Sequence, residues 1–317
     1  MKRNAATLLE LIFVLIIISF LSTATYKGLQ AIMIRSYKAK EITKLSLESQ
    51  IAVNQLSNYL SSRVPYTTIG YDTESDKFQY IGDLTDNKPI LEWIGTAHES
   101  FTKGDYSEFI DMSTLDTANA TLSSKNSDGD KISDSTKAKF HISNDIYAEK
   151  IVNLIFAGSF DRASSNINDY NSSFGWHGHN SIETYDITID NNGLITINDT
   201  KKPKFIYEKY FLVDTAYAVA RGTDINTSSS CISDLNISTQ KLNNTLFLFS
   251  NYRPWKGETF CADKNGNNKD GNVSILMQNV DGFKFEELDY TIRINLDINK
   301  AIRGASPIHF SKMKVVF

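Results

Sequence analysis

Residues 11–26, LIFVLIIISFLSTATY, contain no charged side chain, and nothing else in the chain limits its folding as strongly. With residues 6–10 the stretch grows to about 21 positions, enough to cross a hydrocarbon core of about 30 Å at about 1.5 Å per residue. Lys2 and Arg3 precede it. The positive-inside tendency keeps such an end cytoplasmic and leaves the rest of the chain outside. Glu10 breaks the pattern, because a carboxylate in hydrocarbon costs a few kcal/mol unless it is paired or sits near the interface. This one residue therefore needs either an edge position or a partner.

Beyond the apolar run, residues 27–64 contain one glycine, Gly28, and no proline before Pro65. Helix formers dominate, and Ile42, Leu45, Ser49, Ala52, Leu56, Tyr59 and Leu60 recur at three- and four-residue spacing. That spacing predicts one buried stripe, with Lys44, Glu48 and Gln55 left wet. Pro65 stops the helix, since the residue before a proline is pushed toward extended backbone. The expectation is one helix over residues 6–64, about 90 Å long, with Gly28 as its weak point.

Composition permits a folded domain after the stem. The chain has 317 residues, 41% hydrophobic and 22% charged, with a net charge of −4. That balance argues against a nucleic-acid binder acting by phosphate neutralisation. Two cysteines occur, Cys231 and Cys261. In an exported chain they suggest one disulfide; the alternative is two buried thiols. No G-x-S-x-G, P-loop, H-E-x-x-H or C-x-x-C motif is present, so no enzymatic activity is expected.

After Pro65 the texture changes to short β-like runs between Asn, Asp, Ser and Gly clusters. Strands are predicted in YEKYFLVDTAYAVARG, TLFLFSNYRPW, FKFEELDY, TIRINLDIN and the MKVVF end. In DYTIRINLDIN the residues Ile292, Ile294, Leu296 and Ile298 alternate with polar ones, the mark of a half-buried antiparallel strand. Residues 144–157, NDIYAEKIVNLIFA, read as a helix capped by Asn144. The fold class expected is α+β: a long helix, then a β-rich domain over residues 65–317 with insertions at about 95–180.

Three polar segments are candidate sites. In NSDGDKISD, Asn126, Asp128, Asp130 and Asp134 alternate around a carbonyl at Ile132, a spacing that lets oxygens converge on calcium. Lys131 inside it, and Lys137 where a bidentate glutamate would stand, weaken the match, and the alternative to a calcium site is a solvated acidic turn. DKNGNNKDGN offers Asp263, Asn265, Asn267 and Asp270 but is interrupted by Lys264 and Lys269, so a hairpin loop is the plainer expectation. WHGH sets His177 and His179 two residues apart without a third ligand nearby, which reads as ordinary turn chemistry.

The N-terminal segment admits three explanations. A secretory signal peptide could end at the small residues Ser22, Thr23 and Ala24, and a plain anchor needs no cleavage; neither accounts for Glu10. The run ATLLELIFVLIIISFLS, behind a short basic leader over residues 1–5, resembles the type IV pilin and type II secretion pseudopilin family. In that family the leader ends at a small residue, and the mature helix has threonine second and glutamate fifth. Ala5 and Ala6 would flank the cut, with Thr7 and Glu10 at the matching positions; the usual glycine and phenylalanine are here both alanine. The tail SILMQNVDGFKFEELDYTIRINLDINK and the segment YRPWKGETFC are similar to the larger minor-subunit branch, while residues 66–200 have no named counterpart.

The resemblance implies a pilin-like fold, with a helix whose residues 6–26 span the bacterial inner membrane and whose residues 27–64 continue under a periplasmic β-sheet domain. It implies cleavage by a prepilin peptidase and N-methylation at Ala6. Glu10 would pair with the terminal amine of a neighbouring subunit. Partners would be other pilin or pseudopilin subunits, an inner-membrane assembly platform and, before assembly, lipid. The function implied is that of a minor pseudopilin at or near the tip of a secretion pseudopilus; the alternative is a minor type IV pilus subunit that initiates assembly or binds surfaces or DNA.

Overall fold

The computed structural model of the chain describes residues 8–116, 118–159, 170–198 and 202–317. Helix α1 runs unbroken over Leu8–Ser61, straight through Gly28, so the glycine does not interrupt it. It stops short of Pro65. The amide of Val64 donates to the Ile94 carbonyl at 2.8 Å and Arg63 bridges to Gly95, so the chain leaves the helix already extended.

Sixteen strands follow among the described residues. The first eight are β1 (Ile69–Asp72), β2 (Lys77–Tyr80), β3 (Ile90–Thr96), β4 (Asp111–Asp116), β5 (Thr121–Ser123), β6 (Asn153–Phe156), β7 (Tyr185–Ile189) and β8 (Leu194–Ile197). The rest are β9 (Tyr210–Arg221), β10 (Thr245–Tyr252), β11 (Thr259–Phe260), β12 (Lys269–Asp270), β13 (Asn272–Gln278), β14 (Val280–Leu288), β15 (Thr291–Ile302) and β16 (Ala305–Val316). Short helices intervene: α2 (His98–Lys103), α3 (Gly129–Phe140), α4 (Ser230–Ser233) and α5 (Thr239–Leu242).

Strand β9 organises the large antiparallel sheet, and ten of its twelve residues are buried because both faces are covered. One of its edges pairs with β3. The other edge forks: residues 210–213 pair with β6, and residues 216–221 pair with β10. Asp214 and Thr215 lie at the fork, where ladder bonds are missing on that side and side chains replace them. The amide of Asn251 donates to Thr215 Oγ1 at 2.8 Å. Lys139, in the last turn of α3, places its ammonium 2.8 Å from Asp214 and 2.7 Å from Glu99.

The predicted helix at residues 144–157 does not form. Asp145, rather than Asn144, accepts the amides of Tyr147 and Ala148 and begins a turn that Lys150 ends at φ 53°. Residues 153–156 become β6, buried at every position between β7 and β9. An apolar run buried on all sides has no period that separates helix from strand, and sheet pairing decided this one.

A second, three-stranded sheet has the order β14-β15-β16. Strand β15 alternates as its sequence predicts, with Ile292, Ile294, Leu296 and Ile298 inward. The β15–β16 hairpin lies along α1. At one end Arg63 donates to the carbonyls of Phe317 and Tyr290; at the other, Lys38 donates to Ser306. Twelve extended residues cover about 40 Å, and so does the helix between Ile34 and Ser61, so strand and helix match in length. The architecture is therefore α+β, with the second half of a long helix lying under antiparallel sheet.

Candidate functional site

The feature of the molecule that calls for a partner is α1. From Leu8 to Met33 every residue is exposed, and Ile34 is the first that is even half-buried. This lower half is long and apolar enough to cross a membrane. Its few polar side chains are compatible with that: the hydroxyls of Thr23 and Thr25 donate back to the carbonyls of Ser19 and Leu21, one turn below. They bring no unmet hydrogen-bonding demand into an apolar medium.

The upper half is seated. Glu41, Leu45, Ser49, Ala52, Val53, Leu56 and Leu60 form its buried stripe. They pack with Trp93, Tyr217, Leu246, Met277 and the inward residues of β14 and β15. The predicted stripe loses Ile42 and Tyr59 and gains Glu41 and Val53. Ile42 is exposed, and Tyr59 sits at the rim, its ring 5.1 Å from that of Tyr217. Val53, not expected, is fully buried. At the mouth of the seat Glu41 pairs with Lys300 of β15 at 2.6 Å. The Lys300 hydrogen bond, helped by its charge, holds the Glu41 carboxyl below its ordinary range against the opposing effect of burial.

The other sequence candidates fall in different parts of the molecule. Ala5, Ala6 and Thr7 lie outside the described residues, and Glu10 is exposed in the first described turn of α1. In the calcium candidate, Asp128 is the N-cap of α3, accepting the amides of Asp130 and Lys131 on one oxygen. Lys131 also pairs with the Asp128 carboxylate at 3.3 Å. Ile132 is buried in the lobe core. From Gly129 onward the backbone is helical, so Asp130 and Asp134, four residues apart, share one face of α3, while Asp128 stands at its cap. Asn126 lies outside the helix at φ 63°. No group of three or more His, Cys, Asp or Glu residues is placed to hold a metal ion among the described residues.

Cys231 of α4 and Cys261, next to β11, form a disulfide that closes a 30-residue separation. The polar loop after Cys261 is a hub rather than a plain hairpin tip. Asp263 is fully buried, and its Oδ1 accepts from Tyr71 at 3.3 Å and from the Asn265 amide at 3.1 Å.

His177 is the residue that sequence reasoning misjudged. It lies buried at φ 49° between two carboxylates with no exposed surface, Glu92 of β3 and Asp263. Its Nε2 is 2.9 Å from Glu92, and its Nδ1 is 3.4 Å from Asp263, an ion-pair contact without hydrogen-bond alignment. The Tyr71 ring stacks on the imidazole at 3.6 Å, and Tyr252 donates to the other Glu92 oxygen at 2.7 Å. Burial alone would lower the imidazole pKa, but the two carboxylates outweigh it and raise it to about 9. The carboxylates flank opposite sides of the ring, so the cluster clamps an imidazolium. No local signal marks it, because its partners stand 85 and 86 positions away along the chain.

Comparison with protein-family models, with curated proteins and with solved structures finds no match for this chain. The geometry and the motif at the start of α1 carry the functional reading.

Proposed function

We propose that this chain is a pilin-class fibre subunit of the minor pseudopilin kind, built into a type II secretion pseudopilus through its helix α1. The observation that supports it most is the division of one continuous helix. Its lower half is exposed from Leu8 to Met33, and its upper half is seated under sheet. A soluble domain gains nothing from about 26 exposed helical residues. A subunit that waits in the inner membrane and then packs helix against helix needs them twice, first against lipid and then against its neighbours.

The signature residues give this reading its specificity. Ala5 and Ala6 are the cleavage positions, Ala6 carries the methylated amine, and Thr7 and Glu10 act in assembly. The head, with its disulfide, is periplasmic and supplies contacts to the other subunits. Membrane insertion depends on the apolar run as a whole, whereas fibre incorporation depends on Glu10 finding the amine of the next subunit.

Mass spectrometry of the mature chain tests the reading. A methylated N-terminus at Ala6 is expected, and a start near Thr25 would sink it. Glu10→Ala is expected to leave insertion intact and to reduce recovery in sheared fibres. Unchanged recovery would remove the role given to Glu10.

A further inference from the structure

The chain is acidic overall, but its charge is unevenly placed. Residues 27–44 hold five cations, Lys27, Arg35, Lys38, Lys40 and Lys44, against one carboxylate, Glu41. Residues 298–317 hold Lys300, Arg303, Lys312 and Lys314 and no acidic side chain. The fold brings the two segments together. The turn between β15 and β16 lies beside Ile34, whose Cδ1 is 3.9 Å from where a Cβ on Gly304 would stand. Lys38 and Lys300 are taken by Ser306 and Glu41. Lys27, Arg35, Lys40 and Arg303 are exposed and have no ion-pair partner among the described residues.

Their height on the stem matters. If the apolar segment ends at Tyr26, Ile34 stands about 12 Å above the hydrocarbon edge. The headgroup layer fills roughly the first 5–8 Å of that distance. Arg35 and Arg303 then sit within about one Debye length of the phosphates, where each basic side chain adds attraction.

We propose that these cations form a basic collar that docks the underside of the head on anionic phospholipid headgroups before the subunit leaves the membrane. The occupant is a lipid surface rather than another protein because the collar is continuous with the candidate membrane span and rings the stem where it would emerge. The proposal rests on the reading of the lower half of α1 as a membrane anchor. Docking would hold α1 upright and the head low, and extraction into a fibre would have to break it.

The test uses the full chain, labelled through Ala301→Cys with an environment-sensitive fluorophore and reconstituted into vesicles. One set is phosphatidylcholine alone, and the other contains about 30% phosphatidylglycerol. Quenching by headgroup-spin-labelled lipid reports docking. The docked population is expected to be about tenfold greater in the anionic vesicles at about 50 mM salt and to be lost at about 500 mM. Arg35→Gln with Lys40→Gln and Arg303→Gln should abolish the difference, while Arg35→Lys with Lys40→Arg and Arg303→Lys should keep it. Equal quenching in both vesicle types overturns the collar, as does a triple neutral variant that docks normally. A lipid-independent chain whose neutral variant fails only in fibre assembly also overturns it, and assigns the cations to a neighbouring subunit. Alkaline carbonate that strips the chain from both vesicle types overturns the anchor reading itself, an outcome distinct from the loss of docking alone.

Discussion

The two halves of α1 are the same element with opposite surroundings. From Leu8 to Met33 every residue is exposed, apolar side chains on all sides included; above Ile34 a buried stripe meets sheet, while Ile42, Leu47 and Ile51 stay exposed. An all-round apolar helix needs an apolar medium or like neighbours, whereas a striped one needs a single complementary face. The head supplies that face once, from the β15–β16 hairpin together with Trp93, Tyr217, Leu246 and Met277 of the large sheet. The stem is therefore half seated structure and half exposed apolar helix.

Core truncation should break this comparison most visibly. Leu56 is 1% exposed and Leu15 is 58% exposed. Leu56→Ala is expected to cost about 2–5 kcal/mol in denaturant unfolding of the full chain in detergent, through lost burial and the cavity left behind. Leu15→Ala should leave the same transition within about 0.5 kcal/mol. Equal losses from the two variants would mean that the halves are not independent.

Alkali should separate the head from the stem. Clamping by Glu92 and Asp263 raises the His177 pKa to about 9, above the ordinary 6.5. A raised pKa stabilises fully below the unfolded value and less as the pH climbs through the folded one. The head should then lose on the order of 3 kcal/mol between about pH 6.5 and 9.5. His177→Gln should flatten that slope, and the apolar half of α1 should stay inserted throughout. A native slope unchanged by the substitution would show that the clamp does not set it.

What could be seen in the sequence divides along the same line. The stem and β15 were legible because each shows one period over many residues and meets one face. Residues 144–157 were not: Ile151, Leu154 and Ile155 fit a helical spacing as well as a buried strand, and the pairing of β6 with β9 is not a local property. Asp128 was legible as a special acid but not as a cap, since an aspartate at the head of an Asp- and Gly-rich turn suits either use. His177 was out of reach, because its meaning depends on two carboxylates that only the tertiary fold delivers.

The smallest expected effect lies at the join of the two halves. Glu41 and Lys300 form an ion pair at the mouth of the seat, a few residues above Ile34 and its basic neighbours. Because Lys300 holds the Glu41 carboxyl below its ordinary range, the pair contributes above about pH 4.5 and fades as the pH falls through the lowered folded value. A pair at this rim is open to salt, so Glu41→Gln should lower the thermal midpoint only slightly, and salt near 0.5 M should erase most of the difference. The informative readout is proteolysis between Arg35 and Lys44 in detergent. If the pair latches the helix into its seat, Glu41→Gln speeds cleavage there and leaves cleavage at Lys27 unchanged. Equal acceleration at both places would move the boundary of the seat upward, toward Leu45, and make the lower half of α1 longer than its burial suggests.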